Sequence, residues 1–128
     1  MALHWIIESE FQLVTVVVRG EFTRSDVQSY LAMISRANIV EWCKLFDVRK
    51  GQAKFSCQDV NELGVRIREG ASLRVVGPLA FVMPEVETPE LIRLLGFLAA
   101  AKRPMRLFHE IAPARRWIMK ASRYASRA

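Results

Sequence analysis

The sequence predicts a single α/β domain: a mixed, mostly parallel sheet that opens on an N-terminal hairpin and is covered by helices, in the order β-β-α-β-α-β-α-β-α. Three observations lead there. Apolar runs rich in β-branched and aromatic residues alternate with segments of helical periodicity from residue 20 onward. The first two apolar runs are separated only by Ser9-Glu10, which suits an antiparallel hairpin. Finally, the 128 residues contain no internal repeat and no linker-like stretch, and 52% are hydrophobic and 25% charged, the balance of one globular domain.

Each element has a local reason. Residues 2–8 (ALHWIIE) and 11–19 (FQLVTVVVR) have strand composition, and Gly20 is expected to end the second strand. Thr23 with Asp26 three residues later reads as a capping box, after which Val27, Tyr30, Leu31, Ile34 and Ala37 form one buried helical stripe. Trp42–Val48 is a third strand, closed by a polar loop over Arg49–Lys54. A helix from Ser56 to Gly70 turns Val60, Leu63, Gly64 and Ile67 inward. Gly77-Pro78 introduces the strand Leu79–Met83, stopped by Pro84. Thr88-Pro89-Glu90 then opens a helix to about Lys102: a cap, a proline at the first helical position, and an acid near the positive end of the dipole. Met105–Phe108 is the last strand and Pro113–Tyr124 the last helix.

Composition narrows the function classes. The longest apolar stretch, Leu91–Ala101, contains Arg93 and is far shorter than the roughly 20 residues of a membrane-spanning helix. The N-terminus has no basic region ahead of an apolar one and does not read as a signal peptide, so a cytoplasmic location is expected. Cys43 and Cys57 offer neither a disulfide framework nor metal-ligand spacing, and His4 and His109 stand alone. No metal or cofactor is expected. The net charge of +6 is concentrated at the end: eight Lys/Arg stand against Glu110 from residue 102 onward, while residues 1–101 carry eleven basic and twelve acidic side chains. The basic pI therefore belongs to the C-terminal quarter, not to the whole surface.

Two stretches carry a resemblance to a known family. "MRLFHEIAPARRWI", with Phe108 closing a strand and Ala114, Trp117 and Ile118 on the final helix, is similar to the ending of SpoIIAA-like proteins. "DVRKGQAKFSCQD" places Ser56 nine residues after Asp47. That spacing resembles the strand-ending Asp and phosphorylatable Ser of anti-sigma-factor antagonists. With the order of elements, these features resemble STAS domains over nearly the whole chain. The resemblance implies a STAS-like fold and a regulatory domain that switches protein partners. Phe55 and Gln58 depart from it, because the antagonists have an acid just before the serine and a small residue two after it.

Candidate chemistry follows from position. Ser56 and Asp59 satisfy a capping-box pattern, so Ser56 is a helix cap and, by the resemblance, a candidate phosphoacceptor. Asp47, Phe55 and Cys57 are expected to share an interaction edge with it. Nothing pairs Asp47 with a base or nucleophile, and no phosphate-binding glycine loop is present, so an enzyme is not expected. Leu91, Leu94, Leu95 and Leu98 lie on a helix that is apolar all round, which predicts a docking or homodimer face. Arg116, Lys120, Arg123 and Arg127 form a basic stripe opposite Ala114, Trp117, Ile118, Ala121 and Tyr124. The leading expectation is a non-enzymatic domain acting by protein–protein interaction at Ser56. A carrier of a small apolar ligand or lipid is the alternative, and a nucleic-acid accessory using the basic stripe is the third.

Overall fold

The structure, a computed structural model, describes residues 2–73, 76–99 and 103–127, without the side chains of 70–73, 94, 97, 99 and 122–127. The elements follow the expected order: β1 (Leu3–Glu8), a 3-10 turn (Ser9–Phe11), β2 (Leu13–Thr23), α1 (Arg24–Arg36), β3 (Cys43–Lys54), α2 (Cys57–Leu73), β4 (Leu79–Val82), α3 (Pro89–Ala99), β5 (Met105–Phe108) and α4 (Ile111–Arg127). The five strands lie in sequential order β1-β2-β3-β4-β5. β1 and β2 pair antiparallel, and every other neighbouring pair is parallel.

That topology dictates the layers. Each parallel crossover steps one strand in the same direction, and right-handed crossovers then put their helices on one face. α1, α2 and α3 accordingly share a core with that face, containing Val14, Val16, Val18, Tyr30, Ile34, Val60, Leu63, Phe81 and Leu91. α4 follows the last strand and covers the opposite face, where Ala114 and Ile118 pack on Leu13, Cys43, Leu45, Ala80 and Val82. α4 reaches β3, β4 and β5, and Ile6 of β1 remains exposed.

The edges of the elements differ from the sequence reading in one instructive place. Gly20 does not end β2, and Arg49–Lys54 is not a loop. β2 and β3 stay paired from Leu13↔Cys43 to Thr23↔Lys54, with a register shift between Val17 and Arg19. Val17 faces Asp47 while Arg19 faces Lys50, so the extra residue belongs to β3. This is a bulge, which lets a ladder bend and continue. Gly20, at φ +74°, occupies a backbone region that side-chain-bearing residues avoid. The helix starts match their caps. Asp26 accepts from the Thr23 amide at 2.9 Å and its hydroxyl at 3.2 Å, and the Leu91 amide donates to the Thr88 hydroxyl at 3.3 Å. In α1, Tyr30 and Ile34 are buried, but Ala37 is the exposed C-cap residue.

Two glycines separate steric from conformational demands. A Cβ on Gly77 would lie 2.0 Å from the Trp42 carbonyl oxygen, a backbone atom that cannot step aside. Around Gly20 no atom lies within 4 Å, so only its φ resists substitution. Gly77→Ala is expected to lose more than about 3 kcal/mol or fail to fold. Gly20→Ala should lose about 1 kcal/mol. Urea unfolding of the two variants checks the order.

Candidate functional site

Two hollows flank the parallel strands, and Phe22 and Val48 line both. The first is a surface groove of about 600 Å³ at their C-terminal end, walled by the second half of β3 and the start of α2, with Pro84, Val86, Thr88 and Leu91 across from them. Such sheet edges commonly receive ligands. Ser56 stands on its rim, exposed, with the capping box complete: its amide donates to Asp59 Oδ2 at 3.0 Å, and the Asp59 amide donates to its hydroxyl oxygen at 3.0 Å. Arg24 of α1 reaches Glu62 and, at 3.5 Å, Asp59, tying the starts of the two helices together.

Of the three residues expected beside Ser56, the structure keeps only Cys57 exposed at the start of α2 and turns Asp47 and Phe55 elsewhere. Asp47 lies within β3, not at its end, opposite Val82 of the α4-side core, and thus points to the other face of the sheet. Its carboxylate is occupied by Arg49, which donates from Nε and Nη2 at 2.9 Å each. These bonds hold the Asp47 carboxyl below its ordinary range, although partial burial pulls the other way. Phe55 is buried, edge-on to Phe22 at 5.3 Å between ring centroids, and belongs to the core instead of an interaction edge. Cys57 is exposed, and Arg93 Nη1 donates to its sulfur at 3.0 Å.

The expected apolar face is also spent inside the chain. Leu91, Leu95 and Leu98 are all buried in the core shared by the sheet and α1–α3, because α3 lies against α2 as well as against the sheet. Ile92 is the large apolar side chain that α3 exposes among the described residues. Leu94 falls outside the described side chains. On α4, Arg116 and Lys120 are exposed, whereas Arg123 and Arg127 lie outside the described side chains. Of the opposite stripe, Ala114, Trp117 and Ile118 pack inward, with Trp117 6.1 Å from the Phe108 ring, and the Tyr124 side chain lies outside the described ones. Arg115 pairs with Glu8 of β1 at 3.2 Å. Among the described residues, no helix is long and apolar enough to cross a membrane.

The second hollow is an open cleft of about 730 Å³ between the sheet and helices α1 and α2. Its floor is apolar, with Leu3, Val18, Phe22, Val48 and Phe81, and it reaches the surface past the exposed Ser35, Arg36, Arg66 and Glu69. At the N-terminal ends of the strands, its wall carries two cations that the sequence reading did not single out. Lys44, the second residue of β3, is 3% exposed, and its ammonium donates to the Val40 carbonyl. Burial, reinforced by repulsion from Arg103, lowers its pKa from an ordinary 10.5 to about 7. Arg103, two residues before β5, has a buried Nε with no hydrogen-bond partner. Tyr30 faces the same space, its phenol pushed up by burial and drawn back by Arg103. One signal was available: strand alternation puts Lys44 on the same face as Phe46, the inward one.

The sign of the Lys44 effect is fixed. Below pH of about 7 the folded protein carries a buried charge, and from there to 10.5 the unfolded chain binds more protons, so stability rises with pH across that window. Lys44→Met should therefore exceed the parent chain in stability at pH 6, by on the order of 1–3 kcal/mol, with the margin closing toward pH 10. Thermal melts across the pH series test this; a margin independent of pH contradicts it.

Comparison with known proteins found no matching family model, no matching curated protein and no matching solved structure.

Proposed function

We propose that this chain is a non-enzymatic binding domain whose cleft between the sheet and helices α1 and α2 holds a small, largely apolar molecule. The cavity itself carries the reading. Protein interiors are packed to crystal-like density, with few voids larger than a water molecule. The cleft of about 730 Å³ instead leaves the half-buried Val27, Leu31, Ala32 and Ile67 with apolar surface for a ligand to cover, above Val18, Phe22, Val48 and Phe81, which are already packed. Its size falls within the roughly 300–1,000 Å³ of ordinary small-molecule sites, and its lining is the usual one for them: apolar walls and a few polar groups. Ile67, half-buried on α2, lines it with a purely hydrocarbon side chain. Ile67→Trp is expected to fill the space and abolish binding of the neutral fluorescent probe N-phenyl-1-naphthylamine while the melting temperature holds. Equal probe binding by the parent and the variant would sink the cavity reading.

A second reading keeps the partner-switching role that the STAS resemblance implies, and one observation favours it. The Ser56 hydroxyl is exposed at the rim of a groove and at a helix N-terminus, where an added phosphate would meet the positive end of the α2 dipole. The support is narrower than the spacing suggests, since Asp47 faces the other side of the sheet. On this reading Ser56→Asp keeps the fold, and intact mass of the protein isolated from its host shows one added phosphate that Ser56→Ala lacks. Ser56→Ala should cost about 1 kcal/mol through the lost cap. A native preparation without that phosphate leaves Ser56 as a cap alone.

A further inference from the structure

The charges of the cavity say what kind of molecule enters. Four cationic side chains, Arg36, Lys44, Arg66 and Arg103, line it against one carboxylate, Glu69. The inner two are the telling ones. Among the described residues, Lys44 is almost wholly enclosed and donates to the Val40 carbonyl, and Arg103 holds a buried Nε with no partner. Among the described residues neither forms an ion pair with a carboxylate. They also repel each other, and the attraction of Glu41 is the smallest of the influences on Lys44. Two cations sharing an apolar enclosure without an anion are costly, and a chain that keeps them gains only if something negative arrives.

Their placement is polarised. Lys44, Leu79 and Met105 lie side by side at the starts of β3, β4 and β5, and Arg103 immediately precedes that row. From there β3 runs along the cavity floor to Val48, a span of about 13 Å that matches an extended tail of roughly ten carbons. Beyond the cations the cleft offers the half-buried Val27, Leu31 and Ile67 over a closed apolar floor of Val18, Phe22, Val48 and Phe81. One end of the cavity is built for a negative head and the other for hydrocarbon.

We infer that the occupant is a single-chain amphiphile with a compact anionic head, of the fatty-acid carboxylate type, its head between Lys44 and Arg103 and its tail directed along Leu31 and Ile67 toward Val27. The Arg103 guanidinium would gain the acceptor that its Nε lacks, and the Lys44 ammonium would gain a counter-charge in a place where water screens little. Arg36 and Arg66 at the mouth would draw the anion in. This inference rests on the cavity reading, and the test separates the two.

Isothermal titration of the full chain at pH 6.5 would compare laurate, 1-dodecanol, dodecyltrimethylammonium and acetate. Laurate is expected to bind at least about tenfold more tightly than dodecanol, with no measurable binding of acetate or of the cationic amphiphile. Lys44→Met and Arg103→Met should each weaken laurate by about tenfold or more and leave dodecanol unchanged. Thermal melts confirm that each variant is folded, and Lys44→Gln provides a second, polar replacement if Lys44→Met perturbs packing. Equal affinity for laurate and dodecanol, or full laurate affinity in the double variant, overturns the anionic head while leaving an apolar cavity in place. Acetate binding as tightly as laurate overturns the tail. If neither laurate nor dodecanol binds, both the inference and the cavity reading fall.

Discussion

The first half of strand β3 is flanked on both edges and both faces, and that enclosure governs the rest of the molecule. β2 pairs along its full length on one edge and β4 on the other, while the α1–α3 layer covers one face and α4 the opposite one. That half, Cys43 to Val48, therefore has nowhere to place a side chain except into one of two cores. Cys43 and Leu45 fill the α4 side, and Phe46 and Val48 fill the other. A lysine at position 44 has no route to solvent. Its long stem usually lets lysine keep its charge in water, but here the strand holds it under the helices.

The consequence is electrostatic. Buried cations persist in folded proteins when they are paired, when they shed the proton, or when the chain retains them for a ligand at some cost to stability. Lys44 moves toward the second course, with a pKa of about 7, and Arg103 cannot, because a guanidinium stays protonated in proteins. Filling the same volume with methionine and leucine would be easier on the fold. The cavity is thus electrostatically unfinished in a way that its apolar floor alone is not.

The sequence made the framework legible because its signals are local. Thr23 with Asp26, Ser56 with Asp59, and Thr88-Pro89-Glu90 announce helix starts through contacts three residues long, and each appears in the structure where the letters place it. The inward stripe of α4 is equally local, a matter of helical period. What depended on distant pairing was hidden. Gly20 and the polar run Arg49–Lys54 read as breaks, since nothing in either stretch reveals that each would find the other as a ladder partner. The same long pairing moved Asp47 into the middle of a strand and undid its association with Ser56. Phe55 read as an edge residue for the related reason that its partner, Phe22, lies far away in sequence. Lys44 passed as one polar letter within an apolar strand, and Arg103 as one of eight C-terminal basic residues, because only the fold brings them together.

Phe22 and Val48 line both hollows, the cleft from one side and the Ser56 groove from the other. The wall between the two is therefore only a side chain thick. Phe22 also meets the edge of Phe55, the residue directly before Ser56, at 5.3 Å. Packed interiors respond to added volume by discrete side-chain shifts, not by smooth compression. A tail that reached the Phe22 ring would press on the residue that precedes the α2 cap. The two readings of this domain, a ligand held inside and a partner met at Ser56, consequently share a physical element. The capping box is the stiffest part of that rim, fixed by two reciprocal 3.0 Å hydrogen bonds, and Phe55 is the part that packing alone holds. Phe22 and Val48 are the residues through which the cleft can act on the groove, and Phe22 alone of the two meets Phe55 ring to ring.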